Sequence, residues 1–348
     1  MKSILVLRPG AIGDAILAFP VLKALREQYG DTHITLVSNA QVLPLAHAFG
    51  IAEQTFDFQD IQWSELFSSN GIRTSSMHDL LTQTDLAICW MRDPDGIIEY
   101  HLKTSGVKHC IIAPGRPSVG AGIHIVDYLA RTIGLPDIGI QFVARYSRQL
   151  TENLSTSVVA RVVDVGLGGP LWSPVGGAYG PFIDVLAFSG DSQQATIQSN
   201  DMATKRFIAI HPGSGSSEKC WPVSRFAEVI KRLWEQNHSV LVLAGPADNE
   251  RIADLLQKLP LSPPSAMFKL LTNVPLLEVA HQLQQCRCYL GNDSGITHLA
   301  AMIGVPTIAI FGPTDPKIWY PVGPFVKVIY KPRFEDVTVD NAIEVLDL

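Results

Sequence analysis

Cys286-Arg287-Cys288-Tyr289-Leu290 runs directly into Gly291-Asn292-Asp293-Ser294-Gly295-Ile296-Thr297-His298, and this junction decides what kind of fold the chain has. The apolar run has the length of a strand and the polar turn is short. Ile296, Leu299, Ala300 and Ile303 then recur at i, i+3, i+4 and i+7, the spacing of a helix face. A helix start offers unpaired N–H groups and the positive end of the helix dipole. Ser294 and Gly295 let an anion come close to that end. The turn therefore reads either as a phosphate site or as a plain helix start capped by Asp293 or Ser294.

The same strand–turn–helix rhythm extends outward in both directions. Upstream, strands are expected at Phe207 to His211 and Ser239 to Leu243, with helices at Val223 to Gln236, Asp248 to Leu259 and Leu276 to Gln285. Downstream, Thr307 to Phe311 reads as a strand and Thr338 to Leu348 as a terminal helix. The N-terminal half repeats the scheme. Strands are expected at Ile4 to Leu7, His33 to Val37, Leu86 to Trp90 and Val107 to Ile112. Helices are expected from about Pro20 to Gln28, where proline suits a first turn, and from His124 to Ile133, stopped by Gly134. Alternation of this kind implies parallel sheets with helices on both faces. The fold class is α/β, with two doubly wound domains: residues 1–150, a Gly/Pro-rich linker or insertion at 151–205, residues 206–332, and a C-terminal helix at 333–348. The middle segment, richest in glycine and proline from Gly166 to Gly190, shows no regular period. It reads as a linker whose aromatics pack on a surface, or as a flap that meets an acceptor or a membrane.

Bulk properties narrow the function. At 348 residues the chain favours two domains, and 47% hydrophobic against 17% charged residues supplies a large core. The net charge of −6 and the lack of a basic stripe argue against nucleic acid as a partner. Five cysteines without a Cys-x-x-Cys pair make neither a disulfide framework nor a zinc site. Cys286 and Cys288 read as buried thiols. No signal-peptide pattern precedes the first strand and no apolar run reaches bilayer length, so the expectation is a soluble protein in a reducing compartment.

Three further turns could carry chemistry. Arg8-Pro9-Gly10-Ala11-Ile12-Gly13-Asp14 follows the first strand, at the sheet edge where ligands of open α/β sheets bind. Gly10 and Gly13 would allow positive φ and close approach. Asp14 would act as a general base or cap the next helix. His211-Pro212-Gly213-Ser214-Gly215-Ser216-Ser217-Glu218-Lys219 holds the equivalent place in the second domain. Lys219 could neutralise a diphosphate, and Ser214, Ser216 and Ser217 could donate to it. In Ala244 to Glu250 an acidic residue could meet a ribose, with helix capping by Asp248 as the competing reading. Neither Gly-x-Gly-x-x-Gly nor a Walker loop occurs at these turns. Asp93-Pro94-Asp95 reads as a turn, and Gly312 to Pro316 as a rigid turn facing the same edge.

In order along the chain, the Arg8 to Asp14 opening, the His211 to Pro222 loop, the Gly291 to His298 turn and Phe311 to Pro316 resemble glycosyltransferase family 9, the ADP-heptose:lipopolysaccharide heptosyltransferases. The resemblance covers most of the chain except Thr151 to Lys205, and the His211 loop departs from well-known members in length and composition. It implies the GT-B architecture, two Rossmann-like domains facing a central cleft, with an N-terminal acceptor domain and a C-terminal nucleotide-sugar donor domain. It also implies inverting sugar transfer, with no metal and no other cofactor, from ADP-heptose to a glycan or glycolipid such as a lipopolysaccharide core. Asp14 matches the proposed catalytic base and Lys219 the lysine at the donor phosphates. Asp293, Ser294, Gly295 and His298 match the donor turn, and Glu250 aligns loosely with the acidic residue at the ribose. Arg8, Gly10 and Gly13 fall in the acceptor loop. The implied location is cytoplasmic, with peripheral contact at the inner membrane face if the acceptor is lipid-linked. Two rivals stay open: a nucleotide-dependent oxidoreductase, which would need a dinucleotide fingerprint, and a non-catalytic nucleotide-sugar-binding protein.

Overall fold

The computed structural model describes residues 2–118, 120–161, 207–260 and 266–346. The Gly166 to Gly190 stretch lies outside the described residues. The chain forms two compact α/β units. Unit 1 comprises Met1–Tyr146 with Pro316–Val322, and unit 2 comprises Ser147–Asp315 with Gly323–Leu348.

Unit 1 is built from β1 (Ser3–Arg8), α1 (Ile12–Tyr29), β2 (His33–Ser38), α2 (Leu43–Ala48), β3 (Gln54–Asp57), α3 (Ser75–Thr82), β4 (Leu86–Cys89), α4 (Ile97–Thr104), β5 (His109–Ile112), α5 (Ile125–Thr132) and the start of α6 (Ile140–Arg161). Unit 2 takes the rest of α6. It continues with β6 (Phe207–His211), α7 (Val223–Glu235), β7 (Ser239–Ala244), α8 (Asn249–Lys258), β8 (Phe268–Thr272), α9 (Leu276–Gln284), β9 (Cys286–Asn292), α10 (Gly295–Met302), β10 (Thr307–Phe311), β11 (Val326–Tyr330) and a last helix, Val339–Leu346. All strand pairs are parallel, in the orders β3-β2-β1-β4-β5 and β11-β10-β9-β6-β7-β8. The central strands are covered on both faces, which is why their sequences are near-continuous apolar runs. Ile4 to Leu7 and Leu86 to Cys89 are buried throughout.

In both sheets the winding reverses beside the first strand, between β1 and β4 in unit 1 and between β6 and β9 in unit 2. Loops at such a switch point splay apart at the C-terminal ends of the strands and leave a crevice. The Arg8 loop and the His211 and Asp293 loops all leave strands that border these two points.

The expected helix at Pro20 to Gln28 starts earlier, at Ile12, with Pro20 inside it. Proline at that position removes one i→i−4 hydrogen bond. Burial outweighs this loss, because Ala15 to Leu22 are all buried. Gly13 is consequently helical and needs no positive φ, whereas Gly10 has φ +132° and makes the turn that the loop requires. α6 runs on to Arg161, into the stretch without an evident period. Cys286 and Cys288 are buried thiols. Asp93 is a turn residue, and its carboxylate accepts from the Ile98 and Glu99 N–H groups at the head of α4. Among the described residues no helix is long and apolar enough to cross a membrane.

Asp85 ties the N-terminal ends of three unit 1 strands together. Its carboxylate accepts from the backbone N–H of Lys2 at 2.6 Å and of Ser3 at 3.2 Å, and from Lys108 Nζ at 2.6 Å. The Lys108 hydrogen bond, then the two backbone N–H groups, hold its pKa far below the ordinary carboxylate value. A depressed folded-state pKa stabilises above the unfolded value, and that contribution is lost as pH falls towards the folded one. Asp85→Asn should therefore lower the urea midpoint at pH 7, by an amount that shrinks below about pH 4. A difference that persists unchanged in acid would show that the charge is not what matters.

Candidate active site

At the edge of the unit 2 sheet, β6 and β9 end side by side, with His211 paired to Gly291 in register. The next residue on β9, Asn292, is fully buried. Its amide donates to the Pro212 carbonyl at 2.8 Å and to the Gly213 carbonyl at 3.3 Å, and its Oδ1 accepts from Trp221 N at 2.9 Å. One side chain thus holds both ends of the loop after β6 against the end of β9.

Asp293 follows, 5% exposed. Its Oδ2 pairs with Lys219 Nζ at 2.9 Å and its Oδ1 lies 3.5 Å from His298 Nε2. Burial alone would raise its pKa, but His298 and Lys219 outweigh burial and lower it. Ser214 Oγ donates to the Asp293 carbonyl at 2.6 Å. Ser294 is the N-cap of α10, and its Oγ accepts from Thr297 N at 3.4 Å. Gly295 opens the helix, where the first N–H groups have no intrahelical partner. The ammonium of Lys219 and the head of α10 therefore flank one buried carboxylate, and the ammonium is partly exposed to solvent. Such an arrangement can receive a diphosphate, which would share the lysine with Asp293 and meet the open N–H groups.

Behind the turn lies a second buried pair. His211 Nε2 is 3.0 Å from Asp248 Oδ2, and His211 Nδ1 is 3.2 Å from Ser294 Oγ. Asp248 also accepts from Gly245 N at 2.8 Å. Burial would raise the Asp248 pKa, but the hydrogen bond and charge of His211 and the Gly245 N–H bring it below the ordinary value. Asp248 does not cap α8; its side chain turns back on the short 3-10 turn Pro246–Asp248. Gly213 is required here by close approach, since a Cβ would overlap Asp248 Oδ1.

In unit 1 the corresponding edge holds a cavity of about 430 Å³ lined by Arg8, Gly10, Asp14, Trp90, Arg92 and Arg116 among others. Asp14 is the third residue of α1, and its Oδ2 accepts from Ala11 N at 3.3 Å. It therefore helps to cap α1, and its side chain remains 18% exposed towards solvent. Arg8 is 3% exposed. Its Nε donates to the Asp14 carbonyl at 3.2 Å, while Nη2 stands 3.6 Å from Asp14 Oδ1, too far for a hydrogen bond, and has no other partner. Burial lowers the Arg8 pKa; Asp14 opposes this and Arg116 adds to it.

The structure thus brings Lys219, Ser214, Asp293, Ser294, Gly295 and His298 to one edge of unit 2, and Arg8, Gly10 and Asp14 to one edge of unit 1. Ser216 and Ser217 are exposed on the 3-10 stretch Ser217–Lys219 and its N-cap, and Glu250 is exposed on the first turn of α8. Gly13 lies inside α1. Sequence reasoning assigned nothing to Asn292, to the His211–Asp248 pair or to the cavity-lining Trp90, Arg92 and Arg116. His211 closes β6 and Asp248 lies four residues beyond the end of β7, a signal that was present, but only the sheet order makes them neighbours.

Residues 143–341, more than half of the chain, match the sequence model of Glycosyltransferase family 9 (heptosyltransferase). Lipooligosaccharide heptosyltransferase 2 of Campylobacter jejuni is 34% identical over 113 residues, 32% of this chain and 34% of that protein. The matched segments span between a third and about half of the length of such relatives. Among solved structures, E. coli ADP-heptose LPS heptosyltransferase II superposes with a TM-score of 0.66 at 18% identity, covering 100% of this chain and 98% of that one. An E. coli heptosyltransferase bound to ADP gives 0.64 at 14% identity, covering 99% of each chain.

The Asn292 staple can be tested directly. Asn292→Asp keeps an acceptor for Trp221 but sets a buried carboxylate against two carbonyl oxygens. It should cost about 3 kcal/mol or more at neutral pH, partly recovered in acid as the carboxyl takes up a proton. Urea unfolding measures this, and a loss under about 1 kcal/mol would mean that the loops are held by other contacts.

Proposed function

The chain belongs to glycosyltransferase family 9, and on that premise we propose that it transfers a heptose from ADP-heptose to a glycan or glycolipid acceptor of the lipopolysaccharide-core type. The fold is GT-B, two Rossmann-like doubly wound domains. The observation that carries the reading is the turn at the β6–β9 switch point, where Lys219 and the head of α10 flank Asp293. The names of the two structural neighbours support an ADP-linked donor.

The proposed reaction is a single displacement that inverts the anomeric carbon. An acceptor hydroxyl oxygen bonds to that carbon, and the bond from the carbon to the diphosphate oxygen breaks. Asp14 takes the hydroxyl proton. The departing diphosphate keeps the electron pair, and its growing charge is met by Lys219 and the N–H groups at Gly295 and Ile296. In this scheme a lysine and a helix dipole do what a divalent ion does elsewhere, so the transfer needs no metal. On the acceptor side, Arg8 Nη2 is a buried donor without a partner at a basic cavity. It suits an acceptor oxygen, best one that bears negative charge. A lipid-linked acceptor would bring a cytoplasmic enzyme to the inner face of the membrane as a peripheral protein.

Calorimetry with ADP, UDP, GDP and NAD in the presence of a chelator tests the donor, followed by turnover of ADP-heptose. ADP should bind best, and a preference for NAD would replace this reading with an oxidoreductase. Asp14→Asn should slow transfer by about 100-fold or more while leaving the dissociation constant for ADP unchanged. Lys219→Ala should weaken ADP by about tenfold or more. Turnover retained in the Asp14 variant, or unchanged ADP affinity in the Lys219 variant, would remove that residue from its role.

A further inference from the structure

His211 closes β6 with a buried imidazole that the reaction above leaves unused. The Asp248 carboxylate accepts at Nε2, so that nitrogen carries a hydrogen. Only Nδ1 can then be bare or protonated, and its state decides whether Ser294 Oγ can donate to the ring or must accept from it. Thr297 Oγ1 donates to the Asn292 carbonyl and can accept from Tyr289 OH at 2.9 Å and from Ser294 Oγ at 3.0 Å. With Nδ1 bare, the Ser294 hydroxyl donates into the ring across 3.2 Å. Its proton is then committed inward, away from an anion at the head of α10. With Nδ1 protonated, the ring donates to Ser294 Oγ instead. The Ser294 hydroxyl can then donate only to Thr297 Oγ1 or to a ligand, and a positive charge stands directly behind it, which favours an anionic ligand.

We propose that His211 is a positioning residue that takes up a proton when a nucleoside diphosphate binds at the head of α10, turning the Ser294 hydroxyl outward to donate to the diphosphate. The proposal rests on the donor-site reading above. The proton comes from solvent and returns to it when the diphosphate product leaves. The groups that face the ring are Asp248 from the turn before α8 and Ser294 at the head of α10. Behind Ser294 stand Thr297 of α10 and Tyr289 of β9. Arg251 of α8 and Cys220 act electrostatically on or with Asp248. Asp293, Lys219 and His298 are the remaining charged or titratable groups of the turn. Asp248 is the carboxylate in contact with His211, and it balances the imidazolium once formed. A ligand that adds negative charge on the far side of Ser294 favours the protonated ring further.

The sign follows from linkage. A group whose pKa is higher in the complex strengthens binding below its free pKa, and that gain disappears as pH rises through the bound value. The test is calorimetric titration of the whole chain with ADP at about pH 8, where ADP is fully ionised. It is run in two buffers of different ionisation enthalpy, which reports the protons taken up. The wild type should take up a measurable fraction of a proton. Its ADP dissociation constant should weaken as pH rises, by up to tenfold per unit. His211→Asn, whose amide oxygen can still accept from Ser294, should bind ADP more weakly, take up no proton and show a flat pH profile. Asp248→Asn should lose the uptake as well. Binding by the wild type without proton uptake would overturn the proposal while sparing the donor site. Equal uptake by the His211→Asn variant would overturn it too, and would shift attention to His298. If ADP fails to bind the wild type, the donor-site reading falls first and this proposal with it.

Discussion

Everything at the unit 2 edge depends on one saturated amide. Asn292 uses two donor contacts and one acceptor contact to join strands that are neighbours in space but eighty residues apart in the chain. The parallel ladder between β6 and β9 ends near the His211–Gly291 pair and cannot by itself fix the loops beyond it. A buried amide with all three contacts satisfied gains from each of them, and leaving any one unmade would carry a desolvation cost. The positions of Lys219, Ser214 and the head of α10 relative to Asp293 all follow from this clamp.

Around it, charge is buried only where it is balanced. Asp293 and Asp248 would both be disfavoured as carboxylates in a dry environment, yet both are held ionised by nearby cationic or N–H groups. The exceptions are informative. Arg8 Nη2 and His298 Nδ1 are buried without hydrogen-bond partners although Asp14 and Asp293 stand near the same side chains, and each lies at a point where a sheet reverses its winding. Trp63 Nε1 and Tyr146 OH are also unpartnered but sit elsewhere, so a missing hydrogen bond is not in itself a mark of a site. Position is what sets Arg8 and His298 apart, since the charged Arg26 also has a buried Nε without a hydrogen-bond partner, away from either switch point.

Sequence reading succeeded where strands are covered on both sides. β1, β2, β4, β6, β7, β9 and β10 were all expected, because burial on two faces leaves an apolar run that is hard to miss, and the edge strand β5 was expected as well. The unread strands β3, β8 and β11 are all sheet edges. Gln54–Asp57 and Val326–Tyr330 alternate weakly or are half exposed, so their pattern approaches that of a loop. Pro20 misled in the opposite way. A local rule put it at a helix start, and tertiary burial of the residues on both sides carried the helix through it.

By itself the sequence determined the α/β class, the two doubly wound repeats and the loops that carry Asp14, Lys219 and Asp293, since hydrophobic period and turn chemistry are local properties written in neighbouring residues. It also placed Ser294 and Gly295 at the head of a helix. Only the tertiary structure decided which of these polar residues meet. The contacts of Asn292 with the His211 loop and of His211 with Asp248 and Ser294 depend on strand order and on burial. Burial is what converts a polar side chain from a solvated surface group into one whose every hydrogen bond must be accounted for, and no local pattern in the chain records it.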